Sequence, residues 1–244
     1  MSGEGRREER EESRAGGGDS PFALHPSHPH FPSLHIRALG LVEYEPTWRA
    51  MQRFTSERTA DSVDEIWLVQ HSPTYTQGQA GKPEHLLNAT AIPVVQIDRG
   101  GQITYHGPGQ IVVYLLLDLR RWRINVRELV RLMEQAVIDV LAEYGVAAQG
   151  RNDAPGVYVG DAKIAALGLK IKNGCCYHGL AFNVDMDLSP FANVNPCGYQ
   201  GLRVTQAVAC GITVPFDELQ AQLTQNLVHG LHSHLARQPS KECL

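Results

Sequence analysis

Arg99-Gly100-Gly101-Gln102-Ile103-Thr104-Tyr105-His106-Gly107-Pro108-Gly109-Gln110 lies between two apolar runs, Ile92-Pro93-Val94-Val95 and Ile111-Val112-Val113-Tyr114-Leu115-Leu116-Leu117. Short apolar runs bounded by turn residues predict buried strands, so the twelve residues between them read as a glycine-rich loop. Its glycines let the backbone come close to a ligand, and successive N–H groups there can form an anion-binding concavity. Arg99, Thr104, Tyr105 and His106 add side chains that can touch that ligand.

Downstream, Asn173-Gly174 is a two-residue hairpin signal. A tight turn sets Lys172 opposite Cys175. It then pairs Ile171 with Cys176, Leu169 with His178, Leu167 with Leu180, Ala165 with Phe182 and Lys163 with Val184. Side chains alternate along a strand, so these pairs share one face. That face is apolar except for Lys163 and His178. A second turn at Gly160-Asp161 sets Tyr158 across from Lys163.

The flanking segments read as helices and strands. Leu34–Leu41 and Ile66–Val69 are expected strands, and 71–88 a loop. Pro46 is expected to open a helix with Trp48, Met51 and Phe54 inward. Asn125 with Glu128 makes a capping box ahead of Leu129, Leu132, Met133, Ala136, Val137, Val140 and Leu141, and Gly145 ends that helix. Leu219, Leu223, Leu227 and Leu231 stripe a last helix from Phe216 to about Leu235.

The chain has 244 residues, 43% hydrophobic and 20% charged, with net charge −4. That length allows one or two domains, and the charge excludes a general nucleic-acid binder. No apolar run reaches the ~20 residues of a membrane helix. Five cysteines (Cys175, Cys176, Cys197, Cys210, Cys243) without paired spacing suggest neither a disulfide framework nor structural zinc, and a reducing cytoplasmic setting fits. Residues 1–33 are expected to be a disordered tail: Gly, Ser and Pro mix with Arg6-Arg7-Glu8-Glu9-Arg10-Glu11-Glu12, with too little apolar surface to order. His25, His28 and His30 read there as solvated residues.

Two further segments matter for function. One is Gly160-Asp161-Ala162-Lys163-Ile164-Ala165-Ala166-Leu167-Gly168-Leu169-Lys170-Ile171. The other is His178-Gly179-Leu180-Ala181-Phe182-Asn183-Val184 with Asn195-Pro196-Cys197-Gly198-Tyr199. On their own residues, alternatives stay open. Lys163 is either a base, because apolar surroundings disfavour its ammonium, or a strand-end lysine whose amine reaches water. Cys197 is either a nucleophile or a buried structural thiol. His106 and His178 are either structural or hydrogen-bonding groups near a reaction centre.

With the glycine-rich stretch, these segments resemble the octanoyl-[acyl carrier protein]:protein N-octanoyltransferase (lipoyl/octanoyl transferase) family over roughly residues 34–215. The resemblance implies a single α/β domain over 34–235, with 236–244 a tail. Its mixed, largely antiparallel sheet with packed helices would be similar to the biotin/lipoate protein ligase catalytic domain. A smaller sub-sheet would sit near the hairpin. It implies Cys197 as nucleophile and Lys163 as the catalytic base. Substrate contacts are implied for Arg99, Gly100, Gly101, Gln102, Ile103, Thr104, Tyr105, His106, Ala166, Leu167, Gly168, Gly179, Leu180 and Ala181, and His178 joins them.

The implied reaction moves octanoyl from octanoyl-acyl carrier protein through an acyl-cysteine to a lysine of lipoyl domains. The implied acceptors are 2-oxoacid dehydrogenase complexes and glycine cleavage H protein. Neither metal, cofactor, nucleic acid nor membrane is called for, because a thioester is already activated. Acyl carrier proteins are generally acidic. Arg120, Arg121, Arg123, Arg127 and Arg131, or Lys170 and Lys172, could steer one or simply be solvated. The alternatives are an ATP-dependent lipoate-protein ligase, which needs no cysteine, an acyl-carrier thioesterase, which passes the chain to water, and a non-catalytic acyl-binding module.

Overall fold

A computed structural model describes residues 31–151, 154–198 and 201–238. The expected tail over 1–33 falls outside them except for its last three residues, as do Cys243 and most of the expected 236–244 tail. Among the described residues ten strands and three α-helices follow in order: β1 (Leu34–Val42), α1 (Tyr44–Glu57), β2 (Asp64–His71), β3 (Thr74–Gln77), β4 (Val94–Gln96), β5 (Ile103–His106), β6 (Gln110–Leu116), α2 (Val126–Glu143), β7 (Gln149–Gly150), β8 (Gly156–Val159), β9 (Ala162–Lys172), β10 (Cys175–Asn183) and α3 (Phe216–Ala236). Among the described residues no helix is long and apolar enough to cross a membrane.

The large sheet runs β1-β2-β6-β10-β9-β8-β7, with only β1 and β2 parallel among its pairs. Its strands alternate between two apolar cores, except at two positions in β9 and β10. Ile66, Leu68, Ile111, Val113, Leu115, Leu180 and Phe182 face α2 and α3. Trp67, Val69, Val112, Tyr114, Leu116, Tyr177 and Ala181 face α1. A second sheet, β4-β3-β5, covers a third cluster of Tyr75, Ile103, Tyr105, Met186, Phe191 and Val194.

The helices follow local chemistry. Asn125 accepts from the Glu128 N–H at 3.0 Å and the Glu128 carboxylate accepts from the Asn125 N–H at 2.9 Å, completing the capping box. Leu219, Leu223, Leu227 and Leu231 are all buried. α1 begins at Tyr44, two residues before the expected Pro46, and Phe54 is only half-buried. The hairpin register is the one expected from Lys172–Cys175 to Ala165–Phe182, with Asn173 and Gly174 both left-handed (φ 53° and 80°).

Four expectations need correction. The glycine-rich stretch is not all loop, because β5 runs through it and pairs with β3, inside the expected 71–88 loop. Ile92–Val95 is not a buried strand; β4 is a short edge of the second sheet, with Val94 exposed. The sub-sheet therefore surrounds the glycine-rich stretch and not the 160–184 hairpin. Lys163 does not pair with Val184, because β10 stops at Asn183.

Candidate active site

Strict alternation puts Lys163 and His178 on the face packed by α2 and α3. The structure puts both on the other face, each at a local break in the pattern. In β9 a bulge doubles up Ile164 and Ala165 against Val157, so both enter the helix-packed core. Lys163 then points the opposite way. A bulge residue turns the strand by half its period, which re-aims the next side chain. In β10, His178 has φ 65°, a region that L residues seldom occupy. Its ring stacks on that of its neighbour Tyr177 at 5.0 Å and meets Tyr114 edge-on at 6.1 Å.

Lys163 is 3% exposed. Where β10 has ended, its backbone pairs with the following loop: its N–H donates to the Arg203 carbonyl at 2.8 Å and its carbonyl accepts from the Thr205 N–H at 2.9 Å. Its Nζ donates to the Pro155 carbonyl at 3.1 Å and lies 5.1 Å from the Tyr158 ring centre. Gly156 makes room for it: a Cβ there would lie 2.8 Å from Lys163 Cε and 2.8 Å from the Ala165 carbonyl oxygen. Behind this, Glu134 of α2 accepts from the Gly156 N–H at 2.9 Å.

Lys163 lines a small cavity with Thr104, Gln110, Ala166, Asn183, Phe191, Pro196 and Val204. Cys197 follows Pro196 in the 3-10 turn Pro196–Gly198. The turn is anchored at both ends: the Gly198 N–H donates to the Asn195 carbonyl at 3.0 Å and the Asn195 N–H to the His85 carbonyl at 2.8 Å. Gly198 packs near the His85 ring and Gln102.

Thr104 and Ala166 also line a second, mostly apolar pocket, so the two spaces adjoin. Three neighbouring strands build the two spaces in rungs. Gln110 and Asn183 stand opposite each other beside Lys163; Val112, Ala181 and Ala166 form the next rung; Tyr114, Gly179 and Gly168 form the third. Arg99, Gly101, Gln102, Ile103, Thr104, His106, Leu167, His178 and Leu180 complete the lining with Tyr44 of α1. Two residues expected at the substrate lie outside it. The Gly100 N–H is tied to the Leu169 carbonyl at 2.9 Å. Tyr105, on the other face of β5 from Thr104 and His106, packs on Tyr75 and Phe191 with ring centres 5.6 and 5.5 Å away.

The polar groups of this pocket are heavily cross-bonded. Arg99 donates to the Gly100 carbonyl (2.9 Å), to the Thr76 carbonyl (2.7 Å) and to the Thr76 hydroxyl (2.9 Å), clamping the glycine-rich stretch to β3. His106 Nδ1 donates to Gln110 Oε1 at 2.7 Å, and Gln110 Nε2 donates to Asn183 Oδ1 at 2.9 Å. Asn183 Nδ2 donates to the Thr205 carbonyl at 3.0 Å. Thr205 is the residue whose N–H holds Lys163, so one network runs from the pocket to the cavity. The site also holds Tyr44, Thr76, Asp98, Tyr114, Gln110 and Asn183, which no motif singles out. Gln110 and Asn183 lie inside the motifs and Asp98 directly precedes one, but neither spacing nor periodicity marks any of them.

His71 and His106 share this face with His178, all three buried. His71 donates from Nδ1 to the Val42 carbonyl (2.9 Å) and accepts at Nε2 from the Tyr114 hydroxyl (2.7 Å). Burial pushes His71 down to about 4 and His106 down to about 3. Unfolded, both titrate near 6.5. Between that value and the folded ones the unfolded chain binds protons the folded chain does not, so stability present above pH 6.5 is lost as pH falls. From pH 7 to pH 5 the two histidines together cost about 4 kcal/mol. Urea unfolding at the two pH values checks this, and equal stabilities would contradict it.

The lipoyl protein ligase A/B catalytic domain model matches residues 43–228. The octanoyltransferase of Dechloromonas aromatica (strain RCB) is 62% identical over 196 residues, 80% of this chain and 96% of that one. Among solved structures, a bipartite lipoate protein ligase from Thermoplasma acidophilum superposes with TM-score 0.64 at 17% identity, over 83% of this chain and 85% of that one. A biotin protein ligase from Aquifex aeolicus does so with TM-score 0.51 at 12% identity, over 83% and 71%. These two share the mixed α/β fold and, at such identities, the fold alone. With the domain match over three-quarters of its length and that identity over four-fifths, the chain belongs to the octanoyltransferase family and is an acyltransferase.

Proposed function

We propose that the protein transfers an octanoyl group from octanoyl-acyl carrier protein to a specific lysine of lipoyl domains through a thioester on Cys197. The observation that carries this reading is a pair of adjoining spaces: Lys163 and Pro196, next to Cys197, line one of them, and Thr104 and Ala166 line both it and an apolar pocket floored by small side chains. Lys163 takes the Cys197 proton, and the thiolate attacks the carbonyl of the incoming thioester. The tetrahedral intermediate expels the carrier thiolate, which takes the proton from Lys163. The acceptor lysine, as its neutral amine, then attacks the acyl-cysteine. Lys163 takes its proton and returns it to the Cys197 thiolate as the amide forms. The octanoyl chain lies along Val112, Ala181 and Ala166. Carrier proteins and lipoyl domains are the proposed partners, and no ATP is consumed.

Intact-protein mass spectrometry after mixing with octanoyl-acyl carrier protein, without ATP, tests it. The wild type gains one octanoyl mass that chases onto a lipoyl domain, and Cys197→Ser gains none that chases. Modification of the lipoyl domain only with ATP and free octanoate would make the protein a ligase. Loss of the adduct to water in the presence of lipoyl domain would make it a thioesterase.

A further inference from the structure

Three buried side-chain polar atoms have no hydrogen-bond partner among the described residues: Thr55 Oγ1, His85 Nδ1 and His178 Nδ1. Of their residues, His178 alone lines the apolar pocket. It is 1% exposed and holds a left-handed backbone, which costs energy and persists only where surroundings enforce it. Those surroundings are Asp98. Its carboxylate accepts from Trp48 Nε1 (2.8 Å), Gln52 Nε2 (3.0 Å), the Tyr177 hydroxyl and His178 Nε2 (3.0 Å). These donors hold Asp98 ionised, well below the usual carboxylate range, against the upward push of its partial burial. An ionised carboxylate only accepts, so Nε2 carries a proton; burial lowers the imidazole below its ordinary range and disfavours a second one, so Nδ1 is left with a bare lone pair.

The rungs fix where that lone pair stands. Moving from Asn183 beside Lys163 to Gly179 is four residues along β10, about 13 Å at the rise of a strand, and His178 is one residue further. An octanoyl chain has seven C–C bonds of ~1.5 Å and extends roughly 9 Å when staggered. With its carbonyl at the first rung beside Lys163, it ends roughly 4 Å short of the third rung, about the width of one water. A dodecanoyl chain, with four more carbons, reaches it.

We propose that His178 is the chain-length determinant of this site, rejecting longer acyl groups by polarity: its Nδ1 lone pair accepts from a water beyond the eighth carbon, and a longer chain must displace that water with methylenes. A buried acceptor stripped of its donor carries its full desolvation penalty. Asp98 is the positioning residue that keeps the lone pair, and not an N–H, at Nδ1. This rests on the acyl-transfer reading above.

The test compares kcat/KM for octanoyl- and dodecanoyl-acyl carrier protein in wild type, His178→Leu and His178→Asn. Leucine resembles histidine in size and lacks the acceptor. Asparagine is smaller, keeps an acceptor and tolerates a left-handed backbone. His178→Leu is expected to move the dodecanoyl-to-octanoyl ratio at least tenfold toward dodecanoyl, while His178→Asn stays within about threefold of wild type. The reverse pattern would make the limit steric and overturn the proposal, as would no change in either variant. Calorimetric binding of octanoate and dodecanoate to the full chain reads the same ratio without the reaction, so an enzyme that failed to transfer would still be tested. Ring ¹⁵N NMR of wild-type His178 is expected to show the unprotonated nitrogen at Nδ1. A proton there would overturn the proposal, and this measurement stands even where the leucine variant, strained in a left-handed backbone, fails to fold.

Discussion

Replacing Lys163 by methionine lowers kcat/KM for octanoyl transfer about a thousandfold and leaves the fold intact. The two effects separate because they draw on different bonds. Methionine keeps the apolar stem against Tyr158 and Gly156, so packing is nearly unchanged. What is lost for stability includes the bond to the Pro155 carbonyl and the approach of the amine to the Tyr158 ring, about 1 kcal/mol each. What is lost for catalysis is the only amine among the described residues lining the cavity next to Pro196, worth about 4 kcal/mol of barrier at a thousandfold. Steady-state rates beside a thermal melt read both. Activity within tenfold of wild type would remove Lys163 from the chemistry.

Gly179→Ala acts the other way, through stability. A Cβ at Gly179 would lie 2.1 Å from the Val113 carbonyl oxygen and 3.1 Å from its carbon. Both belong to the backbone of β6, which is held between β2 and β10 and cannot withdraw. The close approach follows from the left-handed turn one residue earlier, at His178. Relief requires β10 to part from β6 in the middle of the sheet, at a cost of about 3 kcal/mol or more. For a chain this size that lowers the melting temperature by roughly 10 °C. A shift below 2 °C would mean that the strands adjust and that the backbone at His178 adjusts with them.

Local chemistry wrote much of the fold legibly. Asn173-Gly174 sets the hairpin register because a two-residue turn admits few geometries. Asn125 and Glu128 start α2 because each satisfies the other's backbone N–H. The four leucines of α3 are buried because they recur at helical spacing. β5 was illegible for an equally physical reason: Ile103-Thr104-Tyr105-His106 is too short and too polar to read as a strand. It becomes one only by pairing with β3, far away in sequence.

The site divides along the same line. Sequence alone settled which residue types are present and in what order, and so the family and the identity of Lys163 and Cys197 as the groups to examine. It also set the hairpin register that lines up Leu169 with His178 and Leu167 with Leu180. It placed Lys163 and His178 on the wrong face of the sheet, since alternation is a rule for unbroken strands. The bulge at Ile164 and the left-handed His178 are tertiary decisions. Lys163 turns where the 203–205 segment takes over the hydrogen bonds that β10 has stopped supplying, and His178 turns because Asp98 gathers it with α1. Partners so distant in the chain leave no periodic trace. Tertiary structure therefore decided that the two polar residues of an apolar strand pair line two adjoining pockets instead of lying buried beneath two helices.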